Sequence, residues 1–273
     1  MKKIALLLCA IVMFGCSDDE EKAGTEVPDP EISKMLFSEF CKSDGIGVSD
    51  VTKEEEFRYE DAWLTGYTYT QEVSIADLTE IISHPLTIQY GNNRSSVTFT
   101  DEIGTERKYT LNEEGYATQC EYASLDQKRQ YTFSYTDGYL TQVNEKIMPR
   151  EGSSDAVVAH TLYESSTGYG KLQTNYEAGE DINYYRLPCM LVADTYPLSF
   201  HREALFAGML GKPTQHLTTA SYPEKTSDTY TERTEYTYSF DKNKKPVSLK
   251  VSTKYGNGKS ISYLNRTISI TIE

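Results

Sequence analysis

Tyr131 to Val143 reads YTFSYTDGYLTQV, and this stretch decides the fold. Tyr131, Phe133 and Tyr135 alternate with Thr132 and Ser134, so every second side chain is aromatic and those between are small hydroxyls. A period of two puts the rings on one side of a pleated strand and the hydroxyls on the other. Gly138 supplies the positive φ of a tight turn, and Tyr139 to Val143 carries the chain back. The unit is a hairpin with one apolar and one wet face.

The same unit recurs as Tyr109 to Cys120 (YTLNEEGYATQC) and Tyr236 to Leu249 (YTYSFDKNKKPVSL), with a degenerate copy from Tyr163 through Gly168 to Leu172. In each clear copy an apolar residue follows the turn by five positions: Gly115 to Cys120, Gly138 to Val143, Lys244 to Leu249. Only the third lacks a turn glycine and uses Asn243 and Lys244 instead. Alternation continues through Leu86, Ile88 and Tyr90, through Val97 and Phe99, through Val247, Leu249 and Val251, and through Ile268, Ile270 and Ile272.

Hairpins in series predict a mostly β protein: a large curled antiparallel up-and-down sheet, or an open half-barrel, of roughly ten to thirteen strands. Its edges and apolar face need a cover. The clearest helix runs over Phe200–Leu210, with Ser199 as cap, Leu205, Phe206, Met209 and Leu210 as apolar stripe, and Gly211 and Pro213 as stop. Two more short helices are expected, near Ile75 to Ile82 before Pro85, and from Ile32 to Cys41 with Met35, Leu36, Phe37 and Phe40 on the sheet.

The N-terminus has its own logic. Lys2 and Lys3 precede an eleven-residue apolar run, Ile4 to Phe14, and then Gly15 and Cys16. Spanning a bilayer takes about 20 apolar residues, so this run reads as a cleaved signal, residues 1–15. A small residue before the cysteine is the lipoprotein pattern, which makes the Cys16 thiol the lipid attachment point and the membrane a partner through that anchor. Residues 16–31 form an acidic flexible tether that opens with Ser17, Asp18, Asp19, Glu20 and Glu21. Residues 32–273 form a single β-rich domain.

Forty-one acidic residues against 27 basic give a formal charge of −14, which repels phosphate backbones and excludes nucleic acid as a partner. Cys9 leaves with the signal, and Cys41, Cys120 and Cys189 are too few and too widely spaced for a disulfide framework or a zinc site. Cys120 matches Val143 and Leu249 in the repeat and should be a small buried hydrophobe. The four histidines, His84, His160, His201 and His216, share no helical spacing. Nucleophile elbow, phosphate loop, dinucleotide fingerprint and EF-hand loop are all missing, so no catalytic residue, metal ligand or cofactor is assigned. Thr, Ser, Lys and Gln on the second strand face, and Glu273 at the end, argue against a lipid-embedded pore.

The acidic run after Cys16 resembles the export tag of Bacteroidetes surface lipoproteins. Together with the turn unit YTDGYLTQV and the segment LFAGMLGKPTQHL (Leu205–Leu217), it resembles a domain of unknown function common in Bacteroidetes lipoproteins and described as having a porin-like sheet fold. That likeness covers the chain after about Val73 and implies fold and an outer-membrane location, facing outward or, as the alternative, facing the periplasm, with no reaction attached.

Three functional expectations follow. The first is an extracellular binding scaffold whose ligand is a glycan or a protein. With 22 tyrosines and nine phenylalanines, its candidate stacking platform is Trp63, Tyr67 and Tyr69. The second is a cell-envelope hydrolase with a carboxylate pair, and the third is a structural envelope component.

Overall fold

The computed structural model describes residues 31–41, 50–75, 78–123, 128–148, 158–164, 174–188, 196–223, 231–256 and 260–273. Cys16, the tether, the degenerate fourth hairpin's turn and Cys189 lie outside them. The described residues contain β1 (Lys34–Cys41), β2 (Asp50–Glu60), β3 (Trp63–Ile75), β4 (Leu78–Tyr90), β5 (Ser96–Thr100), β6 (Glu106–Leu111), β7 (Ala117–Ala123) and β8 (Lys128–Thr136). They continue with β9 (Tyr139–Met148), β10 (Val158–Glu164), β11 (Thr174–Ile182), β12 (His216–Pro223), β13 (Thr231–Phe240), β14 (Pro246–Gly256) and β15 (Ile261–Ile272). All belong to one sheet, ordered β10-β9-β8-β7-β6-β5-β4-β3-β2-β1-β15-β14-β13-β12-β11, with every pairing antiparallel. The wall is an up-and-down meander whose two chain ends meet at the β1–β15 pair and whose edges are β10 and β11.

The repeats owe their likeness to a shared turn. Asp101, Asn112 and Asp241 each accept backbone N–H bonds on Oδ1 from residues two and four positions on. Three positions past each lies a left-handed residue: Gly104 (φ 82°), Gly115 (φ 83°) and Lys244 (φ 63°). The short polar side chain mimics a backbone turn and fixes hairpin register, so the third copy holds its shape without the glycine. The β8–β9 turn is tighter still, with both Asp137 and Gly138 left-handed.

Two expected helices are strands. Lys34–Cys41 buries Met35, Phe37 and Glu39 in strict alternation, because β15 and β2 pair with it on both sides. Around residue 75, β3 and β4 run out as a long hairpin that leaves Ile75, Leu78 and Ile81 more than half exposed. Neither face of that tip is buried, so its apolar spacing imitates a helix while the ladder dictates extended backbone. These conversions take the strand number among the described residues to fifteen, above the expected range.

The expected cover exists in shortened form. A run of turns from Tyr196 holds one short helix, α1 (Arg202–Phe206), capped by the backbone of His201 without help from Ser199. It ends early because Gly208 turns left-handed at φ 72° before Gly211 does. The segment is a plug between β11 and β12 that crosses the inner side of the wall. Phe206 stacks on Phe57 at 4.2 Å and meets Phe37 edge-on at 5.2 Å. Ala117 donates its N–H to the Met209 carbonyl, and Gly211 bridges to Tyr139. The core forms one cluster from β1 through β15 and the plug. Cys120, Val143 and Leu249, the equivalent repeat positions, are all fully buried in it. Cys120 and Cys41 are free thiols.

Candidate functional site

The inner side of β1 to β4 is built in tiers set by the register. Met35, Phe57, Tyr67 and Leu86 form the tier against Phe206; Phe37, Glu55, Tyr69 and His84 form the next; Glu39, Lys53, Gln71 and Ile82 form the third. The plug answers the second tier with Arg202, whose Nε reaches the Glu55 carboxylate at 2.6 and 2.8 Å. From the neighbouring β15, Arg266 grips Glu39 with two bonds of 2.7 Å. Burial pushes Glu39 up, but the Arg266 guanidinium outweighs it and holds the carboxyl below its ordinary value.

A buried polar group lies deeper, under α1. The Tyr109 hydroxyl and His201 Nδ1 share a hydrogen bond of 2.7 Å. Nε2 has no hydrogen-bond partner, and the imidazole stands in T-shaped contact with Tyr131, Phe133 and Phe200. Burial, reinforced by Arg107, pushes His201 down to about 3. Glu203 pairs with Arg107 at 3.0 Å and is 2% exposed; burial raises its carboxyl against the pull of that arginine. Burial also raises the Cys120 thiol, which removes it as a nucleophile. At the plug's start, Glu145 Oε1 accepts from Tyr196 (2.7 Å), Tyr131 (2.9 Å) and Arg129 (3.0 Å).

These carboxylates share one property. Glu39, Glu55, Glu145 and Glu203 are each matched by an arginine, and the one with a raised carboxyl is sealed from solvent. An acid–base pair for glycoside hydrolysis needs one open carboxyl with a raised pKa facing a cavity; the described residues bring no such pair together. Nor do they bring together three metal-ligating side chains.

The expected stacking platform is divided. Tyr67 and Tyr69 share the inner face, half-buried; Tyr67 donates to Glu55 and packs on Phe57, while Tyr69 donates to Gln71 and lies parallel to His84. Trp63 lies four residues down β3, about 13 Å away at strand rise and beyond the bulge at Arg58/Tyr59. Its ring meets Tyr90 edge-on and carries the Arg94 guanidinium at 4.3 Å.

The open space is elsewhere. A cleft of about 390 Å³ lies between the C-terminal end of α1 and the lower end of the wall. Ile32, Met35 and Tyr59 form one side; Tyr116 closes a second; Tyr185, Arg186 and Pro188, from the chain after β11, form a third. The LFAGMLGKP segment supplies the roof from Leu205 to Pro213. Tyr59 donates to the Phe206 carbonyl, which fixes the roof to the wall. Lys212 donates its N–H to the Gly138 carbonyl and its Nζ to the Asp137 carbonyl, so this segment locks onto the YTDGY turn. Nothing in the sequence announces that these two segments touch, because 60 or more residues part them and nothing periodic links a turn to a plug.

An antiparallel wall that stays open and is filled from its inner side by a crossover segment is a plugged half-barrel. The family model for a domain of unknown function with porin-like fold (DUF4595) matches residues 57–248, and the chain belongs to that family. A porin-like protein from Bacteroides uniformis, solved at 2.32 Å, superposes with a TM-score of 0.72 at 27% identity, over 90% of this chain and 98% of that one. A second porin-like protein, from Bacteroides vulgatus, aligns over 89% of this chain and 98% of its own, at 10% identity and a TM-score of 0.29, too low to bear on the fold. No curated protein matches the chain.

Proposed function

We propose that this protein is a lipid-anchored outer-membrane scaffold, displayed toward the cell exterior through Cys16, that binds an extracellular ligand on the inner side of its half-barrel. The cleft under the plug carries this reading. It is concave, largely apolar, fringed by a few polar groups, and its volume falls in the range of small-ligand sites. The arginines that match Glu39, Glu55, Glu145 and Glu203 speak for binding over hydrolysis. The lipid anchor rests on the Lys-rich start, the short apolar run and the Gly15–Cys16 pair.

Two experiments test the two halves. Labelled lipid precursor should enter the wild-type chain and not a Cys16→Ser variant; an unlabelled wild type, or a labelled variant, removes the anchor. A glycan-array and thermal-shift screen on protein lacking residues 1–16 should find a ligand that stabilises the fold, since a ligand that binds only the native state raises its midpoint. A flat response across glycans, peptides and small amphiphiles removes the binding role.

A further inference from the structure

We infer that the protein pairs with a second copy of itself through a free edge of β4, residues Leu78–His84, and so forms a two-fold dimer with a sheet continuous across it. This surface stands apart from the cleft and its ligand. Its ground is a step in the wall. β3 pairs with β4 from Leu78 to Leu86, whereas β5 pairs with β4 only from Thr87 to Tyr90. After Thr100 the chain turns at Asp101–Thr105 and goes back as β6, so β4 rises above its neighbour. Among the described residues nothing pairs with the other side of Leu78–His84, which leaves a row of backbone donors and acceptors open.

The edge is apolar and straight. Leu78 is 78% exposed and Ile81 65%, and every residue from Leu78 to Pro85 is exposed. The two end edges of the sheet are built differently. The β10 ladder shifts register once and the β11 ladder twice, and β11 carries Glu177, Glu180 and Asp181. Bulges, prolines and charges keep a strand edge from pairing. Between Leu78 and Ser83 the β4 edge has no bulge, no proline and no lysine, and its one charge is Glu80.

The alternation of backbone groups selects the partner. Pro85 has no N–H to give, so in the β3–β4 ladder it belongs to the residues whose backbone groups point away from β3. Thr79, Ile81 and Ser83 share its parity and turn both N–H and C=O outward. A second β4 run antiparallel about Ile81 sets Ile81 against Ile81 and Thr79 against Ser83, so each outward residue meets another and all three outward pairs close their bonds. The same register places Glu80 beside Ile82 of the other copy. A shift of two positions one way sets Glu80 against Glu80; a shift the other way sets Thr79 against Pro85, which has no N–H to return. The edge is complementary to itself in one register. Each copy has one such edge, so the pairing closes at two chains and does not grow. Seven residues a side is fewer than the roughly 20 to 30 of a standard interface, so the dimer is weak, with a dissociation constant on the order of 10 µM.

Sedimentation velocity on protein lacking residues 1–16, from about 1 to 200 µM and so on both sides of that constant, tests the inference. The mass should rise from one chain to two over that range. Ile81→Pro removes an outward N–H and no bond of the β3–β4 ladder, so it should keep the wild-type unfolding midpoint and weaken the dimer at least about tenfold. Ile81→Lys, a charge at the two-fold centre, should do the same if Ile81→Pro unfolds. Ile182→Lys, on the β11 edge, should leave the dimer unchanged. A wild type that stays monomeric throughout overturns the inference and leaves the edge to a strand of another protein. Species larger than two chains overturn the closed pairing. A dimer that survives the Ile81 variants in folded protein, or is lost in Ile182→Lys, overturns the location.

Discussion

Acidification should loosen the plug through one imidazole. His201 is fully buried between Tyr109, Tyr131, Phe133 and Phe200, with Arg107 and Glu203 as the charged groups nearby. The folded ring titrates at about 3, whereas an unfolded histidine titrates at about 6.5. Above pH 6.5 both states hold a neutral ring and the group costs nothing. Below it the unfolded chain takes up a proton that the folded chain refuses, so stability falls until about pH 3. With 1.36 kcal/mol per unit, the loss between pH 7 and pH 5 is about 2 kcal/mol. Glu203, raised by burial, acts in the opposite sense, because a folded-state carboxyl that holds its proton longer gains as pH falls. The lowered carboxyls Glu39 and Glu145 respond only below about pH 4.5. Urea unfolding of wild type and His201→Gln at pH 7, 6 and 5 isolates the histidine, since Glu203 contributes to both. The variant should start less stable and change less with pH, the gap closing by about 2 kcal/mol at pH 5. Parallel slopes within about 0.5 kcal/mol would refute the reasoning.

Three further outcomes are expected. Gly211→Val should cost about 3 kcal/mol in urea unfolding, because a Cβ there meets the Gly138 carbonyl at 2.7 Å and the backbone stands at φ 90°. Ala62→Gly should raise the unfolding free energy by about 0.5 to 1 kcal/mol, since Asp61 and Ala62 are both left-handed in the β2–β3 turn and alanine bears that conformation badly. Glu145→Gln should cost about 1 to 3 kcal/mol at pH 7, because the carboxylate accepts from Tyr196, Tyr131 and Arg129 at once. That carboxyl is held below its ordinary value by the same three donors against its burial, so its contribution is complete above pH 4.5 and lost as pH falls further. The variant's stability should therefore be flatter below pH 4.5.

What the residues announced and what they hid divide along physical lines. Repeated alternation around Gly115, Gly138 and Lys244 was legible because burial on one face of a hairpin imposes period two on neighbouring residues. The register tiers were not, since Glu55 meets Arg202 across 147 positions and Glu39 meets Arg266 across 227. Glu39 and Glu145 are nearly buried; the arginine on Glu39 arrives from β15 at the other end of the chain, and the one on Glu145 from β8, the other strand of its hairpin. Helix was expected over residues 75–82 because exposed apolar residues obey no burial pattern, so spacing alone misleads there. The plug was half legible: its apolar stripe marked the segment, while the left-handed Gly208 that ends the helix early has the same letter as any flexible glycine.

Strand parity explains why this wall needs a plug at all. Fourteen successive antiparallel pairings connect β10 to β11, so the two edge strands point the same way. An antiparallel ring closes on itself only with an even number of strands. A fifteen-stranded one could close only through a parallel seam, with slanted bonds and no hairpin to join it. The end of β10 and the start of β11 consequently lie at opposite ends of the wall, and the two edges stay apart. An open wall exposes its inner aromatic face, and Tyr109, Tyr131, Phe57 and Phe99 are too large to leave wet. The crossover between β11 and β12 lies beside one of those edges, so it is well placed to fold inward. Having covered the rings with Phe206 and Met209, it cannot also match the lower rim of a sheet that never closed, and the cleft is the remainder. A variant that deleted β10 would leave β9 and β11 antiparallel at the edges while retaining the plug's contacts with β6 to β9. It should keep the cleft and its ligand affinity, whereas deletion of the Leu205–Pro213 roof should abolish both.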